Sequence, residues 1–224
     1  MIWWFNPFAV TTLAELLVRV LVLSPHPDDE AIGCGGTLCR HSAAGDELRV
    51  IFLTSGERGS RVMGPVETAA TRETEAKASA AVLGVGEIEF LRAPDGRLRI
   101  SAELIGAIGK SIRRFQPHYL YTAHGGEAHS DHRAAARLAT QTLAKMEGTK
   151  PFIRLFEVWT PLRRPNHFED ITAHIETKTR AVQCYASQCH NLRFDEACIA
   201  LNRYRGLMHS ECEYAEAFFE IKDL

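Results

Sequence analysis

Residues 18–37 read VRVLVLSPHPDDEAIGCGGT, and this stretch decides the fold class. Its first six residues are mostly valine and leucine, which is typical of a strand buried on both faces of a parallel sheet. Ser24 and Pro25 end the apolar run, and a segment that becomes helical follows until Gly45. A buried strand that leads into a helix predicts the first unit of an α/β domain.

The rest of the chain repeats this alternation. We predict further strands at residues 48–54, 88–91, 118–122 and 152–159, and helices at 66–83, 101–115, 132–145, 175–185 and 197–207. Such a pattern indicates an α/β fold, a Rossmann-like three-layer α/β/α sandwich with a mainly parallel sheet. Because no linker or shift in composition interrupts residues 18–224, we expect one domain there, preceded by an apolar N-terminal extension at residues 1–17.

The composition excludes several classes of protein. Of 224 residues, 46% are hydrophobic and 24% are charged, as in an ordinary globular domain. The net charge is -2 and the basic residues are dispersed, so we expect no nucleic acid partner. None of the six cysteines forms a Cys-x-x-Cys pair, which favours a reduced, cytoplasmic protein.

The N terminus is apolar and aromatic, with the sequence MIWWFNPFAV at residues 1–10. It lacks the early positive charge and the cleavage site of a signal peptide. Asn6, Pro7 and Glu15 interrupt the run, so a transmembrane helix is a poor interpretation. Two alternatives stay open. The segment packs on the domain or on another subunit of a homo-oligomer, or it contacts a membrane surface weakly through its aromatic side chains.

Two histidine- and aspartate-rich motifs carry the chemistry. His26-Pro27-Asp28-Asp29-Glu30 follows the first strand, and His129-Ser130-Asp131-His132 follows the strand at 118–122. Because ligands bind at the carboxyl ends of parallel strands, both motifs are expected at one edge of the sheet. Two imidazoles and one carboxylate form an open zinc site that leaves a position for water. Such a site can activate the water and polarise a carbonyl group.

These motifs, with Gly33, Gly35, Gly36 and Thr37 after the first, resemble the PIG-L/LmbE-like family of zinc-dependent N-deacetylases. Weaker similarities follow at residues 54–59, Arg72-x-x-Glu75 and Pro94-Asp95-Gly96, and the resemblance extends from about Val18 to the C-terminal part. It implies a hydrolase that removes an N-acetyl group from an N-acetylglucosaminyl-type substrate. An amidase acting on a larger N-acyl amino-sugar conjugate and a non-catalytic sugar-binding module of Rossmann-like fold are the alternatives.

The resemblance also implies a role for each motif residue. The zinc ligands would be His26, Asp29 and His132, although the same ligands can hold iron(II), cobalt or nickel. Asp28 would be the general base. His129 would stabilise the tetrahedral intermediate or protonate the leaving amine, and Asp131 would orient His129 and raise its pKa. Arg58 would lie near the bound water and the base, and Arg72 and Asp95 would contact the substrate.

Structural explanations compete with some of these roles. Arg72 could pair with Glu75 on an exposed helix face, and Asp95 could only shape a turn. His124 fits a pocket or a simple loop equally well. We interpret Glu30 as a carboxylate that accepts backbone N–H groups at a helix N terminus. The spacing of Gly33, Gly35 and Gly36 is not that of a dinucleotide loop and predicts close packing instead.

Overall fold

The structure is a computed structural model that describes residues 17–222. Its strands are β1 (Arg19–Ser24), β2 (Glu47–Phe52), β3 (Glu87–Phe90), β4 (Tyr119–Ala123), β5 (Phe152–Phe156), β6 (His167–Asp170) and β7 (Ala215–Ile221). Its α-helices are α1 (Asp29–Ala43), α2 (Pro65–Leu83), α3 (Ala102–Phe115), α4 (Ser130–Ala144), α5 (Ile175–Gln183), α6 (Ala186–Leu192) and α7 (Phe194–Arg205). The predicted N-terminal extension lies almost wholly outside the described residues. Within residues 17–222, no helix is long and apolar enough to cross a membrane.

The strands form one sheet in the order β3-β2-β1-β4-β5-β7-β6. Neighbouring strands from β3 to β5 are parallel, whereas β7 runs antiparallel to both β5 and β6. The prediction of a single α/β domain with a mainly parallel sheet is confirmed. Between β1 and β4 the chain changes the direction in which it adds strands, which creates the crevice where such folds bind ligands.

Both faces of the sheet are buried, as the apolar first strand predicts. Val20 and Val22 of β1 belong to the core cluster beneath α1, α2, α5 and α7. Leu21 and Leu23 alternate with them and join the second cluster, beneath α3 and α4. Alternating side chains of one strand therefore serve two hydrophobic layers, which defines the three-layer arrangement.

The sequence-based prediction lacks strands β6 and β7, which pair antiparallel to each other, and helix α6. Strand β7 does not read as apolar because Glu216 occupies a buried position, where its carboxylate lies 2.6 Å from Lys178 Nζ. The predicted helix 175–185 ends at Gln183, and α6 then follows as a separate helix. Local propensity could not reveal β7, because a partner distant in sequence compensates its buried charge.

Close packing explains two of the glycines after the first motif. A Cβ atom at Gly33 would overlap the Phe156 ring, and one at Gly36 would overlap Ile171. Helix α1 bends at Cys34, and the backbone N–H groups of Gly36 and Thr37 donate to Glu216, each at 2.8 Å. The glycine run therefore seats α1 against the sheet and carries no dinucleotide loop.

Candidate active site

Both predicted motifs meet at the crevice between β1 and β4. A cavity of about 460 Å³ opens there, and its lining is both polar and apolar. The polar and charged lining includes His26, Asp28, Asp29, Arg58, Arg72, Asp95 and His129, and the apolar lining includes Trp159, Leu192 and Phe194. Every predicted site residue except the buried Asp131 and His132 therefore lines this cavity, and those two lie directly behind it.

The Asp29 carboxylate contacts both of the other predicted metal ligands. One oxygen of Asp29, Oδ2, lies 3.0 Å from His26 Nδ1 and 3.2 Å from His132 Nε2. In a tetrahedral zinc site with bonds of about 2.1 Å, ligand atoms are spaced by roughly 3.4 Å. The two distances from Asp29, to His26 and to His132, are close to that spacing.

The environment of His132 also fits a metal ligand. The residue is fully buried, yet neither of its ring nitrogens forms a well-aligned hydrogen bond anywhere in residues 17–222. A buried imidazole without such a partner is costly unless another group satisfies it. The histidines His26, His129 and His132 also lie close enough together to share an ion, as do His26, Asp95 and Asp131.

The predicted metal ligands shift one another's pKa values. Burial lowers the pKa of His132, but the adjacent Asp29 carboxylate outweighs it and raises the value to about 9. The pKa of His26 is likewise raised, because its hydrogen bonds to Asp131, Asp29 and Asp95 outweigh burial. Asp29 is buried, yet both imidazoles hold its pKa well below its usual range. Asp29 is thus ionised and suited to bind a cation.

Asp28 differs from its neighbour Asp29 in the direction of its pKa shift. Burial raises its pKa to about 7, against the opposing charge of Arg72. Its backbone has φ 123° and ψ -31°, a conformation that residues other than glycine rarely adopt. The backbone N–H of Asp28 donates to Glu30 Oε2 at 3.1 Å, which holds this turn. Strained backbone of this kind persists where the surroundings enforce it, as at active sites.

Arg72 is buried and supports this turn. Its guanidinium lies 3.0 Å from the Asp28 carboxylate and donates to the carbonyl oxygens of Pro27 and Gly56. A Cβ atom at Gly56 or Gly59 would overlap the guanidinium, so these glycines make room for it. The exposed-pair interpretation with Glu75 is wrong, because Glu75 instead accepts hydrogen bonds from Ser187. Contact of Arg72 with a substrate stays a prediction.

In the second motif, Asp131 contacts His129 through its backbone N–H and not through its carboxylate. His129 Nδ1 accepts a hydrogen bond from the backbone N–H of Asp131 at 3.2 Å. The Asp131 carboxylate instead accepts from the backbone N–H groups of Gly96 and Leu98. Burial and the charges of His26 and His132 lower the pKa of His129, although the charge of Asp131 acts in the opposite direction. His129 is therefore neutral near pH 7, with its proton on Nε2.

Asp95 is more than a turn residue. Its carboxylate lies 3.1 Å from His26 Nε2 and accepts a hydrogen bond from the Arg58 backbone N–H at 2.8 Å. Burial raises its pKa, but the His26 contact outweighs this and lowers the value to about 2. The Arg58 side chain is exposed and lines the cavity. Both residues are placed where a substrate could reach them.

Sequence reasoning missed Glu127. This buried carboxylate accepts backbone hydrogen bonds from Val158, Trp159 and Thr160, and it lies 3.7 Å from His132 Nδ1. It thus connects the loop after β5 to a predicted metal ligand. The sequence offered one indication of this role: Glu127 is an acidic residue two positions before the second motif.

His124 and Glu30 have structural roles. His124 Nδ1 accepts from the Gly126 N–H, so that Nε2 donates to the Thr160 carbonyl at 2.7 Å. Glu30 accepts from the Asp28 N–H and from the Tyr185 hydroxyl, as expected of a carboxylate at a helix N terminus. Neither residue needs a ligand to explain its position.

Comparison with known proteins agrees with this geometry. Residues 21–143 match the PIG-L family, described as GlcNAc-PI de-N-acetylase. The chain is 32% identical over 187 residues to the diacetylchitobiose deacetylase of Thermococcus kodakarensis, an alignment that covers 76% of this chain and 70% of the relative. It is 30% identical over 191 residues to the 4-oxalmesaconate hydratase of Pseudomonas putida, with 76% and 74% covered.

A solved structure shows the same fold. The N,N'-diacetylchitobiose deacetylase from Pyrococcus horikoshii superposes with a TM-score of 0.82 at 28% sequence identity. The alignment covers 91% of this chain and 83% of that chain. Similarity therefore extends across the sheet and the helices and is not limited to the two motifs.

Proposed function

Because the chain belongs to the GlcNAc-PI de-N-acetylase family, we propose that it is a zinc-dependent hydrolase that removes the N-acetyl group from an N-acetylglucosamine-type substrate. One observation carries the proposal. The Asp28 carboxylate, 3.0 Å from the Arg72 guanidinium, stands beside Asp29 in a cavity that also contains His26 and His129. Amide hydrolysis requires a base near neutrality together with groups that stabilise negative charge.

His26, Asp29 and His132 are the residues that would hold the metal. Their distances and the unsatisfied ring nitrogens of His132 support this assignment. A zinc ion bound there would activate a water molecule and polarise the acyl carbonyl group. Iron(II), cobalt or nickel would suit the same ligands, so reloading with each metal identifies the one that supports activity.

Asp28 would accept the proton of the attacking water. A pKa near the working pH lets a carboxylate take up this proton and then release it to the departing amine. The Arg72 guanidinium lies 3.0 Å from the Asp28 carboxylate, and its charge lowers the Asp28 pKa and so favours the ionised form. The same residue can therefore serve as base and then as acid.

His129 would stabilise negative charge on the carbonyl oxygen. Because Nδ1 accepts from the Asp131 N–H, the neutral ring carries its proton on Nε2 and can donate it as a hydrogen bond. A proton on Nδ1 would point at another donor, which disfavours the imidazolium form. Of the two roles predicted for His129, this tautomer supports charge stabilisation over protonation of the amine.

Arg58 and Asp95 would bind the sugar. Asp95 is ionised and Arg58 is exposed at the cavity, so one can accept hydrogen bonds from hydroxyl groups while the other donates them. Arg72 makes three contacts with the protein and would act mainly through Asp28.

The wider setting of the enzyme is part of the proposal. All six cysteines are free thiols, which supports a reducing, cytoplasmic compartment. Membrane-surface contact or assembly into a homo-oligomer through the apolar N terminus remains a prediction from the sequence. Both can be measured with full-length protein, by vesicle sedimentation and by light scattering.

The test is metal-dependent release of amine and acetate from a panel of N-acetylglucosamine derivatives. Protein is stripped of metal, assayed, and then reloaded with zinc. We expect release only after reloading, and Asp28→Asn should retain zinc but lose most turnover. Absence of release from every derivative by the zinc-loaded protein would overturn the N-deacetylase assignment. Release from larger N-acyl conjugates alone would indicate the amidase alternative, and sugar binding without turnover would indicate a binding module.

The relative from Pseudomonas putida supports hydration as a second candidate reaction. Addition of water to a carbon–carbon double bond also needs an activated water and a general base, so the same residues could support it. Incubation of the zinc-loaded protein with 4-oxalmesaconate, followed by ultraviolet absorbance, tests this alternative. Loss of the conjugated absorbance without any activity on amino sugars would replace the deacetylase proposal.

A further inference from the structure

A second cavity of about 250 Å³ adjoins the active site. It lies between α1, the loop after β5, α7 and β7. Its lining is largely apolar and comprises Ile32, Gly33, Glu157, Val158, Trp159, Pro161, Phe194, Ala197, Cys198, Leu201, Asn202 and Ala217. We call it the α7 cavity. A dry cavity of about 150 Å³ with a similar lining can hold a benzene ring, so this one has room for a substituted ring.

Trp159 and Phe194 line both the α7 cavity and the active-site cavity. Their rings meet edge to face, with centroids 4.8 Å apart. Trp159 is 46% exposed on this boundary, whereas Phe194 is 9% exposed. The α7 cavity is therefore directly adjacent to a substrate in the active site.

The two cavities are also connected through the backbone. Ile32 lies three residues after Asp29 on α1, so one helix presents the predicted metal ligand and a wall of the α7 cavity. Trp159 is positioned by Glu127, which accepts its backbone N–H at 3.0 Å and lies 3.7 Å from His132 Nδ1. Helix α1 and Glu127 therefore link the predicted metal ligands to the walls of the α7 cavity.

Asn202 supplies an unsatisfied polar group in this apolar lining. It is 5% exposed, and its Nδ2 donates to the Ala215 carbonyl at 3.1 Å. Its Oδ1 is buried and has no hydrogen-bond partner within residues 17–222. A buried acceptor of this kind is costly unless a ligand supplies a donor.

The charged residue of the lining is already neutralised. Both carboxylate oxygens of Glu157 are engaged by the Arg205 guanidinium, and the backbone N–H of Leu162 also donates to Glu157. The α7 cavity therefore offers no free charge to an ionic ligand. It suits a neutral group that is mostly apolar and carries a single donor.

We propose that the α7 cavity is a subsite for a neutral apolar substituent of the substrate, an aromatic or short alkyl group bearing one hydroxyl or N–H. The inference rests on the proposed function, since it describes what is attached to the amino sugar. Such a substituent can belong to the group at the sugar's anomeric carbon or to the N-acyl chain. The chemistry recognised by the cavity is the same in both cases.

The test compares kcat/KM for matched substrates with the zinc-loaded protein. The methyl glycoside of N-acetylglucosamine is the reference. Phenyl and 4-hydroxyphenyl glycosides probe the anomeric source, and N-phenylacetyl and N-(4-hydroxyphenyl)acetyl glucosamine probe the acyl source. We expect one series to exceed the reference by about tenfold or more, because a ring leaves water for an apolar cavity.

Variants locate the binding of the substituent. Ala197 lines the α7 cavity and is exposed, so Ala197→Phe should obstruct the opening of the cavity and reduce the kcat/KM ratio of aryl to methyl substrate to about one. Ala200→Phe, an exposed alanine of the same helix outside the lining, is the matched control and should keep the wild-type ratio. Asn202→Leu should abolish the advantage of hydroxyphenyl over phenyl while it retains the advantage of phenyl over methyl.

The outcomes separate this inference from the proposed function. Equal kcat/KM for aryl and methyl substrates in both series, or an aryl advantage that survives Ala197→Phe, would overturn the subsite and leave N-deacetylation intact. If no substrate released amine, calorimetry would compare the dissociation constants of the phenyl and methyl glycosides and so test the subsite without turnover. Tighter binding of the phenyl glycoside that is lost in Ala197→Phe would support the subsite, and equal binding would refute it.

Discussion

The Arg72 guanidinium lies 3.0 Å from the Asp28 carboxylate, and both side chains are at least nine-tenths buried. Burial raises the pKa of Asp28 while the charge of Arg72 lowers it, and the balance is a pKa of about 7. Arg72 is the largest of the charges that lower this pKa, ahead of His26 and His132, so it strongly affects the fraction of Asp28 that is ionised and able to act as a base. That effect can be measured in the pH profile.

We expect Arg72→Met to shift the acid limb of the kcat/KM profile to higher pH by roughly one to three units. Loss of the cation raises the pKa of Asp28, so less of the base is ionised at pH 7 and activity there falls. Activity should partly return as the pH increases. Arg72→Lys keeps the charge and should recover much of the shift, with circular dichroism to check folding. An acid limb that does not move would mean that another group controls it.

Glu127→Gln should weaken zinc affinity by roughly ten- to hundredfold. The change removes the carboxylate that lies 3.7 Å from His132 Nδ1 and that accepts the Val158, Trp159 and Thr160 N–H groups. Competition with a chromophoric chelator measures the affinity directly. The exposed Glu103→Gln on α3 is the control and should match the wild type. If Glu127→Gln bound zinc as tightly as the wild type, the role assigned to Glu127 would have to be abandoned.

The sequence predicted the fold where a local pattern and the final environment agree. Valine and leucine in β1 are buried on both faces, and Gly84 ends α2 with the positive φ of 74° expected at a helix C terminus. Prediction failed at β7, where Glu216 is buried beside Lys178. Such pairing over 38 residues leaves no local periodicity to detect.

For the candidate site, the sequence predicted which motifs meet but not which atoms make contact. The motifs at residues 26–30 and 129–132 were predicted to meet because each follows a parallel strand, and they do. Which atoms within a motif make each contact was not predictable. The Asp131 carboxylate accepts hydrogen bonds from the Gly96 and Leu98 N–H groups. The backbone N–H of Asp131 donates to His129 Nδ1. These details depend on the path of residues 93–98, which sequence spacing does not determine.

Glu169→Gln should reduce stability at pH 7 by about 2 kcal/mol, because the carboxylate has charged partners. It accepts hydrogen bonds from Arg154 and His167, each at 2.8 Å, and from Arg40. Burial raises the pKa of Glu169, but these partners outweigh it, so the net pKa is below the ordinary 4.5. The carboxylate therefore contributes stability above pH 4.5 that is lost as the pH falls through the folded-state pKa.

Urea unfolding at several pH values measures this contribution. The difference in free energy of unfolding between wild type and Glu169→Gln should be largest near neutrality and should narrow on acidification. Glu147→Gln, at an exposed position after α4, should show no such narrowing. A difference that is constant from pH 7 to pH 3 would show that ionisation of Glu169 is not the source of the stability.

Gly33→Ala and Gly106→Ala should change stability in opposite directions. Both glycines lie within helices, so alanine should gain about 0.5–1 kcal/mol at either position from helix propensity alone. At Gly106 of α3 a Cβ atom would meet nothing within 4 Å, and we expect this gain. At Gly33 the Cβ atom would overlap the fully buried Phe156 ring, and overpacking should cost about 1–3 kcal/mol. Thermal unfolding should therefore rank Gly106→Ala above the wild type and Gly33→Ala below it. A stabilised Gly33→Ala would mean that α1 can move away from β5, and the close seating that places Asp29 beside His132 would not depend on this glycine.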